Sequence, residues 1–322
     1  MTSVLNYAAT SSVSSPRPRI IGSSDLSVFP LAMSGNVFGW TADSTTTTDI
    51  LDTYYSYGGN FIDTADSYAA GRSEIMIGNW MRDRRNRSDI VVATKVGKSA
   101  DNPGLTARAI TRSVDASLER LRTEHIDLLY LHIDDESVSF DETLLAVDEL
   151  IRAGKVRYFG GSDHTGNRLI EARIACAQLG VAPMVALQNH YNLLHRTEYE
   201  GGLANVAARQ NLGVMPRFAL ASGFLTGKYR NRGDLARNNR GGEAARYLTR
   251  RGMRTLAVLD QIALAHGVKP ASIALAWLLS KPFVAAPVVS ASQVEQIPDL
   301  VAAVSVQLTR GQAAELDRIT AR

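Results

Sequence analysis

Four ionisable residues stand out by type and placement: Asp63, Tyr68, Lys95 and His132. Three of them close a short apolar run, and Tyr68 lies in the loop directly after Asp63. A tyrosine phenol has an ordinary pKa of about 10, too high for efficient proton exchange near neutrality. A neighbouring ammonium stabilises the phenolate and lowers that value. A carboxylate behind the ammonium keeps it charged and in place. A histidine can hydrogen-bond a substrate oxygen and orient a carbonyl. Lys95, Asp63 and His132 match these roles around Tyr68. With the proton coming from Tyr68, the hydride must come from elsewhere, which implies a nicotinamide cofactor.

For these groups to meet, the chain must bring strand ends together. Apolar runs occur at 30–33, 60–63, 90–94, 126–132, 156–160, 184–187, 213–215 and 284–289. They are continuous rather than alternating, as expected of parallel strands buried on both faces. Helical patterns lie between them, the strongest over 105–121. Strand ends recur at intervals of about 30 residues, the length of one βα unit. Eight such units predict a (β/α)8 TIM barrel, whose active site lies at the strand C-terminal ends. No Gly-rich dinucleotide fingerprint follows the first strand, which argues against a doubly wound sheet. Residues 19–29 read as an N-terminal β-hairpin closing the barrel bottom. Residues 228–254 read as a long surface βα loop.

Composition sets the limits. The 322 residues are 45% hydrophobic and 21% charged, enough apolar surface for a large core. We expect a flexible lead over 1–18 and one barrel domain over 19–322. A net charge of +3 is nearly neutral for this length and does not suggest a nucleic-acid partner. The run Arg82, Arg84, Arg85, Arg87 reads as solvated. One cysteine, Cys176, excludes an internal disulfide and suits a reducing compartment, so a cytoplasmic location is expected. No apolar run approaches a membrane span of about 20 residues. No histidine pair has the i, i+4 spacing of a helical zinc site, so no metal is expected.

The residues also carry a family resemblance. Gly58-Gly-Asn-Phe-Ile-Asp63-Thr-Ala-Asp-Ser-Tyr68, continued by Arg72-Ser-Glu74, resembles the aldo-keto reductase signature. Val91 to Lys95 and Asp127 to His132 are similar to the family's lysine and histidine strands. Leu220-Ala-Ser-Gly-Phe-Leu-Thr-Gly-Lys228 resembles its loop after the seventh strand. The resemblance runs from about Arg19 to the C-terminus and includes the branch of channel-associated β subunits. It implies reversible reduction of an aldehyde or ketone with NADP(H), NAD(H) being the alternative, and Tyr68 as general acid/base tuned by Lys95 and Asp63. It implies nicotinamide contacts at Ser162, Asp163 and Gln188, and pyrophosphate contacts at Leu220, Ser222, Gly223 and Lys228. Ser290, Ser292, Gln293, Gln296 and Asp299 fall in its adenosine clip.

Three departures are visible. Asp163 replaces the usual Asn, and a carboxylate cannot donate to a carboxamide oxygen. Arg217 replaces the usual aromatic; it stacks on the nicotinamide, faces the substrate or forms a structural ion pair. The clip lacks its usual cation near Ser292, which predicts a weak NADPH preference unless an arginine from 228–254 supplies the charge. Trp40 and Tyr191 are expected to line the substrate mouth. Asp134-Asp135-Glu136 is expected either to repel anions or to hold a polyol, so a small-molecule carbonyl, a sugar among the options, is the expected partner. Oligomeric state stays open. Two other readings remain: a nucleotide-sensing subunit with slow turnover, and an aldolase using Lys95 as a Schiff base.

Overall fold

The computed structural model describes residues 17–236 and 240–321. Most of the expected lead, residues 1–16, lies outside them. A two-stranded antiparallel hairpin comes first: β1 (Arg19–Ile20) pairs with β2 (Ser27–Val28). Eight parallel strands follow, namely β3 (Ala32–Ser34), β4 (Phe61–Asp63), β5 (Val91–Val96), β6 (Ile126–Leu131), β7 (Val156–Ser162), β8 (Ala186–Gln188), β9 (Gly213–Val214) and β10 (Val288–Val289). From β3 to β9 each strand pairs with the next, and β10 pairs with β3. The last seam is held by Ala285 N–H to Val214 O and Val288 N–H to Pro216 O, both 2.9 Å. The strands thus form the expected (β/α)8 barrel.

The helices follow the apolar patterns, with starts shifted by a few residues. They are α1 (Ser44–Ser56), α2 (Arg72–Arg84), α3 (Ala107–Leu121), α4 (Phe140–Arg152), α5 (Gly166–Leu179) and α6 (Gly202–Arg209). Side-chain caps set several starts: Asp43, Thr106, Ser139 and Thr165 each accept from a first-turn N–H. In α3, Ile110, Val114 and Leu121 are fully buried on one side, and the opposite face is charged. Gly78 allows α2 to lie against the end of α3. A Cβ there would meet Arg120 O at 2.5 Å.

The hairpin plugs the barrel bottom as expected. Ile21, Leu26 and Val28 are buried against Phe61, Ala93, Leu128 and Met215 from inside the sheet. The region 228–254 is not a plain loop. It carries α7 (Arg232–Leu235) and α8 (Gly241–Ala244), and α9 (Arg250–His266) begins within it. Ala244 and Tyr247 anchor it in the core. Then come α10 (Pro270–Leu279), α11 (Ile297–Val301) and α12 (Arg310–Thr320), the last opened by a Thr309–Gln312 capping box. Among the described residues, no single helix is long and apolar enough to cross a membrane.

Candidate functional site

At the strand C-terminal face, β4 ends in Asp63 and the penultimate residue of β5 is Lys95. Lys95 Nζ donates to Asp63 Oδ2 at 2.6 Å and to Thr64 O at 2.8 Å. Both side chains are 1% exposed. The other carboxylate oxygen accepts from Gln188 Nε2 at 2.8 Å. Burial alone would lower the Lys95 pKa, but Asp63 and Tyr68 more than offset it, and the net direction is up. Lys95 is therefore a held cation. The aldolase reading needs a free amine, and this arrangement withholds it.

Tyr68 sits above this pair, with the ammonium 5.0 Å from its ring centroid. It is carried on a tight turn in which Ala69 and Ala70 both have positive φ, 50° and 54°. Left-handed alanines cost about 1–2 kcal/mol each, so local strain helps define where this side chain stands. Burial pushes the phenol pKa up, and Lys95 pulls it only partly back. An ammonium beside the phenol predicts a net lowering instead. Desolvation wins because Tyr68 is enclosed and Asp63 cancels part of the Lys95 field.

His132 follows β6 and stands edge-on to Tyr68, with ring centroids 6.1 Å apart. Burial, then Lys95, Lys98 and Arg217, lower its pKa to about 2. The imidazole is neutral at any ordinary pH, and its Nδ1 is buried without a partner. It can offer a hydrogen bond but not a charge.

Tyr68, His132 and Gln188 share a cavity of about 860 Å³ that extends toward the residues following β10. That volume suits a large ligand. Of the remaining predicted positions, Trp40, Arg217, Leu220, Ser222, Gly223, Lys228, Ser290, Ser292, Gln293, Gln296 and Asp299 also line it. Positive φ values at Ala221, Ser222 and Gly223 curl the backbone around the cavity wall. Some of these groups are already engaged. Ser222 Oγ donates to Glu243 Oε2 at 3.1 Å, and Gln296 Oε1 accepts from Ser292 N–H at 2.9 Å. Ser162 is 1% exposed, with its Oγ unpartnered.

Three expectations need correction. Tyr191 does not line the mouth. It is 1% exposed, packs on Tyr199 and Trp277, and donates to Glu200 Oε1 at 2.7 Å. Asp134 and Asp135 do not line the cavity and are engaged within the protein. Asp134 accepts from Arg168 Nε, and Asp135 accepts from Leu105 N–H and the Ser137 hydroxyl. Asp163 and Arg217 are not independent substitutions. They form a bidentate ion pair with contacts of 2.7, 2.9 and 3.0 Å. Of the three readings for Arg217, the structure gives the ion pair, placed in the cavity wall.

Cavity residues absent from the sequence reading include Ser34, Asn36, Lys98, Phe218 and Lys269. Lys98 follows the end of β5, so the strand-end rule was enough to flag it. Lys269 precedes α10, and no local signal ties it to the site. Arg240 does come from the 228–254 region and faces the cavity, its guanidinium 5.8 Å from the Trp40 ring centroid.

The aldo/keto reductase family model matches residues 32–321. Norsolorinic acid reductase B of Aspergillus parasiticus is 35% identical over 81% of this chain and 70% of its own length. A probable voltage-gated potassium channel subunit beta of Arabidopsis thaliana is 33% identical, over 89% of this chain and 90% of its own. An aryl-alcohol dehydrogenase of Pestalotiopsis microspora is 30% identical, over 92% and 80% respectively. The chain belongs to the aldo/keto reductase family of oxidoreductases.

Proposed function

We propose that this protein reduces an aldehyde or ketone reversibly to the alcohol, with NADP(H) as cofactor and Tyr68 as the proton donor. One observation carries the reading: Tyr68 and His132 face one cavity above a buried, charged Lys95–Asp63 pair. A bound nicotinamide nucleotide supplies the hydride. Tyr68, its phenol raised by burial, stays protonated at neutral pH and gives its proton to the carbonyl oxygen. Lys95 then stabilises the phenolate left behind. Neutral His132 donates a hydrogen bond to the same oxygen.

The cofactor's fit rests on two features. The orphaned Ser162 Oγ, with Gln188 beside it in β-strand register, suits a carboxamide. Asp163 is held by Arg217, so the carboxamide contact falls to the other two. At the far end, Lys269 lines the cavity with Ser290, Ser292 and Gln293. It supplies a cation that the clip segment lacks, which favours a 2′-phosphate. Titrating NADPH and NADH separately into the protein tests this. We expect NADPH to bind at least tenfold tighter, roughly one charge-assisted hydrogen bond, and Lys269→Ala to narrow the ratio. Equal affinities, or an unchanged ratio in the variant, would contradict the cofactor assignment.

The likeness to a potassium-channel β subunit favours a second reading, a nucleotide sensor with slow turnover. Tight NADPH binding without turnover across a panel of aldehydes is what that reading requires.

A further inference from the structure

The charged lining of the cavity is one-sided. Lys98, Arg217, Lys228, Arg240 and Lys269 face it, against Glu243 and Asp299. Lys228, Arg240 and Lys269 lie with the segments assigned to the nucleotide. The imbalance at the Tyr68 end is separate from theirs.

There, one carboxylate serves two cations. Asp163 is bidentate to Arg217. Lys98 reaches the same carboxylate only at 3.9 Å, the outer limit of an ion pair. The Lys95–Asp63 pair beneath is internally neutral, and His132 carries no charge. Among these described groups about one positive charge therefore remains uncompensated, and it belongs to Lys98. Its side chain is 41% exposed, so an arriving ligand can reach it. The field is legible in its neighbours. His132 is held neutral by burial together with Lys95, Lys98 and Arg217. The Lys98 pKa is itself lowered, by burial first, and Asp163 does not offset the shift.

Resting on the reductase reading above, we propose that the preferred substrate is a carbonyl compound bearing an anionic group, carboxylate or phosphate, which Lys98 binds beside Tyr68 and His132. A charge-assisted hydrogen bond holds the anion. Trp40, 58% exposed in the loop after β3, lines the same cavity and offers a flat wall for the rest of the molecule.

The test compares 4-carboxybenzaldehyde, 4-formylphenyl phosphate and neutral 4-methoxybenzaldehyde as substrates with NADPH. We expect at least one anion to exceed the neutral aldehyde about tenfold in kcat/KM, the size of one charged hydrogen bond. Which anion wins identifies its chemistry. The ratio should approach one in Lys98→Met, be retained in Lys98→Arg, and shrink between 0.05 and about 0.5 M salt. Equal kcat/KM for all three compounds, or a preference that survives Lys98→Met, would overturn the proposal. If none of the three is reduced, the reductase reading has failed, and anion binding is read directly. Benzoate and phenyl phosphate should then quench Trp40 fluorescence, with Trp40→Phe as the control, because Trp80 and Trp277 are buried. Quenching lost in Lys98→Met supports the anion site, and no quenching by either overturns it.

Discussion

Replacing Lys95 with methionine should unfold the protein more readily than its loss as a catalytic group requires. The side chains of Lys95 and Asp63 are each 1% exposed and 2.6 Å apart. Removing the cation leaves a carboxylate in the core with Gln188, among the described residues, as its remaining side-chain donor. Breaking a buried pair from one side typically costs about 3–5 kcal/mol. For a chain of this length, roughly 2 °C of melting temperature corresponds to each kcal/mol. Lys95→Met should therefore lower the Tm by about 6–10 °C at pH 7. The double variant Asp63→Asn, Lys95→Met removes both charges and should recover at least half of that loss. Thermal unfolding followed by circular dichroism reads both numbers without any activity assay. A single variant within about 2 °C of wild type, or a double variant no better than the single, would refute the claim that the pair is buried and mutually dependent.

Burial and the Glu74 charge push the Asp66 carboxyl up to about 7, and neither of its oxygens has a hydrogen bond of good geometry. The folded state thus binds its proton more tightly than the unfolded chain. This contribution is fully present below about pH 4 and is lost as pH rises through about 7. Asp66→Asn should flatten that slope and gain roughly 1–3 kcal/mol at pH 8, readable from unfolding midpoints across pH. The Tyr68 phenol is raised, so carbonyl reduction should stay level through neutrality and fall only above about pH 10; a decline centred near pH 7 would mean another group limits the proton. Gly78→Ala should cost about 1–3 kcal/mol by overpacking the contact between α2 and α3, seen as a lower Tm with unchanged cofactor affinity.

The barrel was legible because its strands are short, continuous apolar runs with reactive residues at their ends. That rule alone delivers Asp63, Lys95 and His132 to one face. Side-chain direction beyond a strand end is less accessible. Tyr191 and Gln188 lie three residues apart, yet one points into packing with Trp277 and the other into the cavity. The Asp163–Arg217 pair spans 54 residues, and a single sequence shows two isolated oddities where the fold makes one ion pair. Asp135 looks available for a ligand but spends its oxygens on Leu105 N–H and Ser137. The C-terminal helix α12 carries its capping box, Thr309 and Gln312, in the sequence, but it lies after the last strand and outside the βα repeat. The cations at Lys98 and Lys269 acquire meaning only once the cavity is closed around them.

The central claim is that Tyr68 delivers the proton in carbonyl reduction. The most direct measurement is aldehyde-dependent NADPH oxidation by wild type and Tyr68→Phe, with NADPH affinity measured in parallel. Wild type should consume NADPH only when aldehyde is present. Tyr68→Phe should lose about 10²–10⁴-fold in kcat, the usual worth of a general acid, while binding NADPH within about threefold of wild type. A Tyr68→Phe protein that still turns over at near wild-type rates would contradict the account.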